Sequence, residues 1–228
     1  MQSLEHLLTP FKPINTAEKV YTELKRMLFD YQIVPGQKLQ CQDFAEKFNV
    51  SRTPVKDALN MLSKEGYVEL RYNRGYYVAE IGFEEAESLH DIREALELLS
   101  VEKAIRNLNQ ASLKVLRNAL RAYADDVKRP LSRRRLVLDA NFHLAIAEMS
   151  QNNALTEMIR LIFSKVYLKQ RVENLSLVRG KMANLEHRDI YRAISSRNVS
   201  EAKSKMKEHL ASSRKNVLER LVEEKELP

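Results

Sequence analysis

The sequence is poor in the residues that staple or interrupt a chain. Its 228 residues contain one cysteine, Cys41, so no disulfide can form within the chain, which fits a reducing compartment. Tryptophan is absent and glycine occurs only five times. No apolar run approaches the length of a membrane span, which excludes a helical membrane anchor as the reading of any segment. The opening stretch MQSLEHLLTPFKP has no charged region leading into a long apolar one, so no secretory leader is expected and the expected location is the cytoplasm. What is abundant is helix-forming and charged: 44% of residues are hydrophobic, enough for real cores, and 30% are charged.

The net charge of +7 suggests an acidic partner such as nucleic acid. Its distribution does not place that partner. Residues 1–82 carry 11 Lys+Arg against 10 Asp+Glu, whereas residues 83–228 carry 27 against 21. Glycine locates the boundary better. Four of the five (Gly36, Gly66, Gly75, Gly82) lie in the first 82 residues, and only Gly180 follows. Beyond residue 83 the chain is rich in Leu, Ala, Glu, Lys and Arg, a helical composition with few turns. The expectation is a small mixed domain, 1–82, followed by a larger all-helical one, 83–228.

In the first part, Asn15 and Glu18 make a capping-box start, and Val20, Leu24, Met27 and Leu28 share one face of the helix that follows. Pro35-Gly36 suits a turn. A second helix covers roughly 41–48, with Phe44, Ala45 and Phe48 facing inward. Ser51 stands where a third helix is capped, Pro54 lies in its first turn, and Gly66 is placed to end it. YVEL and YYVAE read as two short strands joined by RYNRG, where Asn73 and Gly75 can take positive φ. Helix, helix, turn, helix, two-stranded ribbon is the order of a winged helix-turn-helix. On the third helix Val55, Ala58, Leu59 and Leu62 form a core stripe, while Arg52, Lys56 and Asn60 recur on another face. Arg and Lys suit guanine and Asn suits adenine in the major groove; an ordinary solvated helix face is the alternative from spacing alone.

Residues 17–80 closely resemble the DNA-binding domain of GntR-family bacterial transcription regulators. The run VSRTPVKDAL is similar to that family's recognition-helix signature, with PG..L and RGYYV at the usual distances. The resemblance implies DNA contacts from Ser51, Arg52, Thr53, Lys56 and Asn60, and from Arg74 and Gly75 at the wing. Lys56 departs from the family's usual arginine. A lysine is a point charge without the planar fork, so it reads a base less strictly or holds a phosphate. The second part resembles the FCD-type effector domain of the FadR branch, on DIREALELLSVEKAI, LDANFHLAIAEMSQNNAL, LEHRDIYRAI and MKEHL. Apolar periodicity there gives six helices, about 84–107, 111–128, 131–150, 152–173, 181–197 and 199–224, as in the VanR-type subgroup.

Asp139 and His143 lie four apart, on one face of a helix with buried neighbours. Alone, that pair reads either as a hydrogen-bonded core pair or as half of a metal site. The FCD resemblance implies the second: its ligands are an Asp and three His, carried here by Asp139, His143, His187 and His209. Three imidazoles and a carboxylate suit a divalent transition metal, with zinc or nickel expected ahead of iron or manganese. His6 and His90 read as surface or core histidines.

The expectation is therefore a mainly α protein, with a winged helix-turn-helix domain and a C-terminal helical bundle. It is expected to be a homodimer that binds a pseudo-palindromic double-stranded operator, with a repressor expected ahead of an activator. A small carboxylate effector would ligate the metal, with Arg93 as its cationic anchor; a salt bridge from Arg93 to Glu97 is the competing reading. The rivals are a metal sensor, in which the ion itself is the signal, and a metal-dependent enzyme tethered to DNA. Four protein ligands and the lack of an HExxH base disfavour the enzyme. The basic stretch KRPLSRRR (128–135) reads as a solvated loop and helix start ahead of a secondary phosphate contact.

Overall fold

The computed structural model describes residues 14–130, 132–169 and 176–226. His6 and the far end of the expected 152–173 helix lie outside these residues. Contacts group Met1–Ile81 and Ser164–Arg171 into one compact unit, and Gly82–Phe163 and Val172–Pro228 into another.

The first unit contains α1 (Thr16–Phe29), β1 (Lys38–Leu39), α2 (Cys41–Phe48), α3 (Arg52–Lys64), β2 (Val68–Arg71) and β3 (Gly75–Val78). Asn15 and Glu18 form the expected capping box: Oδ1 of Asn15 accepts from the Glu18 amide at 3.0 Å, and the Glu18 carboxylate accepts from the Asn15 amide at 3.3 Å. Val55, Ala58, Leu59 and Leu62 of α3 are fully buried and pack against α1 and α2. Phe44 and Ala45 of α2 are buried as expected, while Phe48 is only partly so. Gly66 takes φ +78°, and the Tyr67 amide returns to the Leu62 carbonyl at 2.9 Å, which closes α3.

Two expectations need correction here. The ribbon has three strands, in the order β1-β3-β2, rather than two. β1 is only two residues long, too short for alternation to register, yet it pairs Lys38 with Tyr77 and Leu39 with Tyr76. Ser51 occupies the N-cap of α3, but its side chain makes no capping hydrogen bond.

Six further helices follow among the described residues: α4 (Phe83–Arg106), α5 (Gln110–Asp126), α6 (Arg134–Met149), α7 (Asn153–Lys169), α8 (Leu177–Ser195) and α9 (Val199–Glu226); all belong to the second unit except the part of α7 from Ser164 on, which groups with the first. Here α4 packs on α6 and α9, α5 on α6 and α8, and α8 on α9. Val101, Leu116, Phe142, Ile146, Ile190 and Met206 lie in one continuous core. α8 begins four residues before the expected position and carries Gly180 within its first turns, capped by Ser176, whose Oγ accepts from the Arg179 amide at 3.2 Å.

Gly180 serves packing rather than a break. A Cβ there would stand 3.1 Å from Nη1 of Arg135. Arg135 is buried and ion-paired with Asp126 at 3.3 Å, so KRPLSRRR is not wholly solvated: Arg133 and Arg135 are buried, while Lys128 and Arg134 are exposed. Among the described residues, no helix is long and apolar enough to cross a membrane.

Candidate metal centre and nucleic-acid interface

Asp139 and His143 stand one turn apart on α6, His187 comes from the middle of α8 and His209 from α9. The packing of these helices brings one donor atom from each residue into a cluster whose members all lie within 4.8 Å of one another. Nε2 of His143 is 3.1 Å from Nε2 of His209 and 3.9 Å from Oδ2 of Asp139. Nε2 of His187 is 3.4 Å from Oδ1 of Asp139. Donors bound to one ion at about 2.1 Å stand about 3–4 Å apart, so these separations fit a transition metal. All three imidazoles are buried and Asp139 is partly so.

The outer nitrogens fix the tautomers. His143 donates its Nδ1–H to Oε2 of Glu97, a carboxylate that is itself buried. His209 places Nδ1 2.7 Å from Oε2 of Glu186, which also accepts from Nη2 of Arg179 at 2.8 Å. A carboxylate can only accept from a histidine, so both imidazoles carry a proton on Nδ1 and turn Nε2 toward the cluster. The two Nε2 atoms face each other at 3.1 Å. Burial, His143, Arg93 and Arg179 hold the His209 pKa well below the usual imidazole value. Burial, with His209 and His143, does the same at His187. Neither ring nitrogen of His187 has a hydrogen-bond partner. Buried polar groups are normally satisfied, and a cation shared by the three Nε2 atoms and Asp139 would satisfy this set. The donor set thus fits a bound metal.

Arg93 lies beside the cluster. Its Nε is bonded to Oε1 of Glu97, so the competing salt bridge is present. Its Nη2 is buried without a hydrogen-bond partner, 3.9 Å from Oδ2 of Asp139, and the guanidinium lies over the Phe163 ring at 4.4 Å. Glu97 is held well below the usual carboxylate range: burial pushes it up, but His143 and Arg93 together outweigh that. Sequence reasoning missed Glu97 as a partner of His143, and missed Glu186 and Arg179 altogether. Glu186 directly precedes His187 in the chain but bonds His209, a pairing that only the α8–α9 packing reveals. His90 is a buried core histidine whose pKa burial, with Arg93 and Arg214, lowers to about 4.

In the first unit, Ser51, Arg52, Thr53 and Lys56 are exposed at the start and along the outer face of α3. Asn60 is half-buried, and its Oδ1 accepts a hydrogen bond from Tyr76 of β3 at 2.6 Å. At the wing, Arg74 is exposed in a turn whose amide returns to the Arg71 carbonyl at 3.0 Å, with Asn73 at φ +55° and Gly75 at φ +88°. Both positive-φ expectations hold.

A winged helix-turn-helix unit joined to a helical unit with an enclosed polar cluster defines a transcription regulator. Residues 16–78 match the gntR family of bacterial regulatory proteins, and residues 88–212 match the FCD domain. The chain belongs to the GntR family, in its FCD-containing form. Its relatives are transcription regulators and not enzymes. The HTH-type transcriptional repressor RspR of Escherichia coli strain K12 is 26% identical over 211 residues, covering 91% of this chain and 90% of the relative. The HTH-type regulator YdhC of Bacillus subtilis strain 168 is 23% identical over 199 residues, covering 87% and 89%. Among solved structures, a GntR regulator from Rhodococcus sp. RHA1 superposes with a TM-score of 0.76 at 22% identity, covering 89% of this chain and 97% of that one. McbR/YncC of E. coli gives 0.73 at 21%, covering 91% and 99%.

Proposed function

We propose that this GntR/FCD regulator is a repressor whose operator affinity is set by a small carboxylate bound at a divalent metal in the helical domain. The observation that carries the metal is the convergence of one donor atom each from Asp139, His143, His187 and His209 within 4.8 Å, with neither ring nitrogen of the buried His187 hydrogen-bonded. Asp139, His143, His187 and His209 would hold the ion, with zinc or nickel favoured by the three imidazoles. The bound ion supplies a Lewis-acidic position for a carboxylate oxygen. Arg93, with its unpaired Nη2, is the cation suited to the second oxygen of that carboxylate.

Residues 1–82 serve as the DNA-binding domain and 83–228 as the effector and dimerisation domain, two copies reading a pseudo-palindrome. Ser51, Thr53 and Lys56 are placed for phosphates and Arg52 for a base edge. Asn60 keeps its amide N–H groups for a phosphate oxygen, because Tyr76 engages its carbonyl. Arg74 and Gly75 approach the minor groove or its phosphates. The effector acts only through a difference in its affinity for DNA-competent and DNA-incompetent arrangements.

The test is operator selection from random DNA, followed by binding titrations of the recovered site with metal-loaded and chelated protein across a panel of small carboxylates. The reading requires a carboxylate that weakens operator binding only when metal is present. A response to metal alone, unchanged by every carboxylate, would instead make the ion the signal.

A further inference from the structure

Glu97 has two oxygens and uses them on different partners. Oε1 accepts from Nε of Arg93, and Oε2 accepts from Nδ1 of His143. The residue is buried on α4, and its charge is offset within the protein by Arg93. One side of the carboxylate thus fixes a metal ligand and the other fixes the side chain placed for the effector. Glu186 does not repeat this arrangement, because a single oxygen, Oε2, meets both His209 and Arg179. His187 has no such brace at all.

We infer that Glu97 is the positioning residue that couples the two halves of the site: the same carboxylate holds His143 as an Nε2 ligand and holds Arg93 with Nη2 toward Asp139. This rests on the metal and Arg93 reading above. Neither half moves independently, because a shift of the carboxylate toward Arg93 draws it from His143, and the reverse. An anion that pulls on Arg93 is therefore felt at the metal, and the metal is felt by the anion to the same degree.

The chemistry makes a specific demand on substitutions. A glutamine at this position turns one of the two carboxylate oxygens into an NH2 donor, so it can meet only one of Arg93 and His143 with an acceptor while both stay where they are. Removing Arg93 as well ends the competition and returns that oxygen to His143. Coupling therefore predicts that the second substitution repairs part of the damage done by the first. A residue that only filled space would show no such repair.

The experiment measures zinc affinity of the full chain by competition with a chromogenic chelator, for wild type, Glu97→Gln, Arg93→Met and the double variant. The readout is paired with side-chain ¹H–¹⁵N NMR of the His143 Nδ1–H and the Arg93 Nε–H. Glu97→Gln should lose about 10–100-fold in zinc affinity. Arg93→Met should not weaken zinc, and the double variant should fall between the two. The slowly exchanging Arg93 Nε–H should be present in wild type and weakened or lost in Glu97→Gln. If Glu97→Gln does not fold, the comparison of Arg93→Met with the double variant decides, and the double must be the weaker. Unchanged zinc affinity in Glu97→Gln, or a double variant no better than that single, overturns the coupling. Wild-type protein that binds no zinc overturns the metal reading itself, a separate result.

Discussion

Tyr76 of the wing donates its hydroxyl proton to Oδ1 of Asn60 on the recognition helix, across 2.6 Å. The bond ties β3 to α3 and takes one of the two lone pairs on the Asn60 carbonyl. Bidentate adenine readout needs both the carbonyl and the amide of an asparagine turned to the base, and this bond holds the carbonyl toward Tyr76. Asn60→Asp keeps an acceptor for Tyr76 but puts a carboxylate toward the phosphates. It should weaken binding to all sequences alike, as read by titration against an operator and its single-base variants. A loss confined to one adenine position would show that Asn60 swings free of Tyr76 and reads a base.

Arg52 is exposed at the first turn of α3. Arg52→Ala should cost about 1–3 kcal/mol of operator binding and relax specificity at one position. Lys56→Arg should retain or tighten binding, since the guanidinium adds donors without changing charge. Equal weakening of Arg52→Ala on all sequences would reassign that residue to a phosphate.

Gly75 sits at φ +88°, and the space where a Cβ would stand is open, its nearest neighbour being a Lys38 side-chain carbon at 4.0 Å. The constraint is thus conformational rather than steric. Gly75→Val should distort the wing turn and impair operator binding while the melting of the helical domain stays unchanged. Normal operator affinity in that variant would remove the wing from the contact surface.

Much of this was legible in the sequence because it rests on local periodicity. The α3 core stripe, the capping box at Asn15 and the positive φ of Asn73 and Gly75 all follow from neighbours within a few positions. The four members of the cluster came from a motif resemblance, since 70 residues separate Asp139 from His209. Strand β1 escaped because two residues carry no alternation. The partnerships of Glu97 with His143 and of Glu186 with His209 were hidden because they form between helices, where no spacing rule reaches. Gly180 was expected just before the 181–197 helix, yet it lies inside α8 and leaves a gap for the Arg135 side chain.

That gap gives a stability prediction. Gly180→Ala improves helix propensity in α8 but puts a methyl 3.1–3.2 Å from Arg135, whose guanidinium is held by Asp126 and by the carbonyls of Asp126 and Arg129. Overpacking should win, with a net loss of about 1–3 kcal/mol in chemical denaturation. A stabilised variant would show that Arg135 relaxes freely.

Stability should also fall in acid. His90 is lowered to about 4, and His187 and His209 are held well below the usual value, so the unfolded chain takes up protons near pH 6.5 that the fold refuses. Their contribution is fully present above pH 6.5 and is lost as pH falls from there through about 4. Denaturant midpoints of chelated protein at pH 7.5 and pH 5 should differ in that direction, and His90→Gln should reduce the difference. Identical midpoints would contradict the buried, neutral state of these rings.

The central claim is that Asp139, His143, His187 and His209 exist to hold a metal that ties α6, α8 and α9 together. The most direct test is elemental analysis of purified wild-type protein against His143→Ala and His209→Ala, followed by melting before and after chelation. The account predicts stoichiometric metal in wild type, little in either variant, and a melting temperature that falls on chelation only in wild type. Wild-type protein that carries no metal, and whose melting point does not move with added zinc, nickel or manganese, would contradict it and leave the cluster as a hydrogen-bonded core.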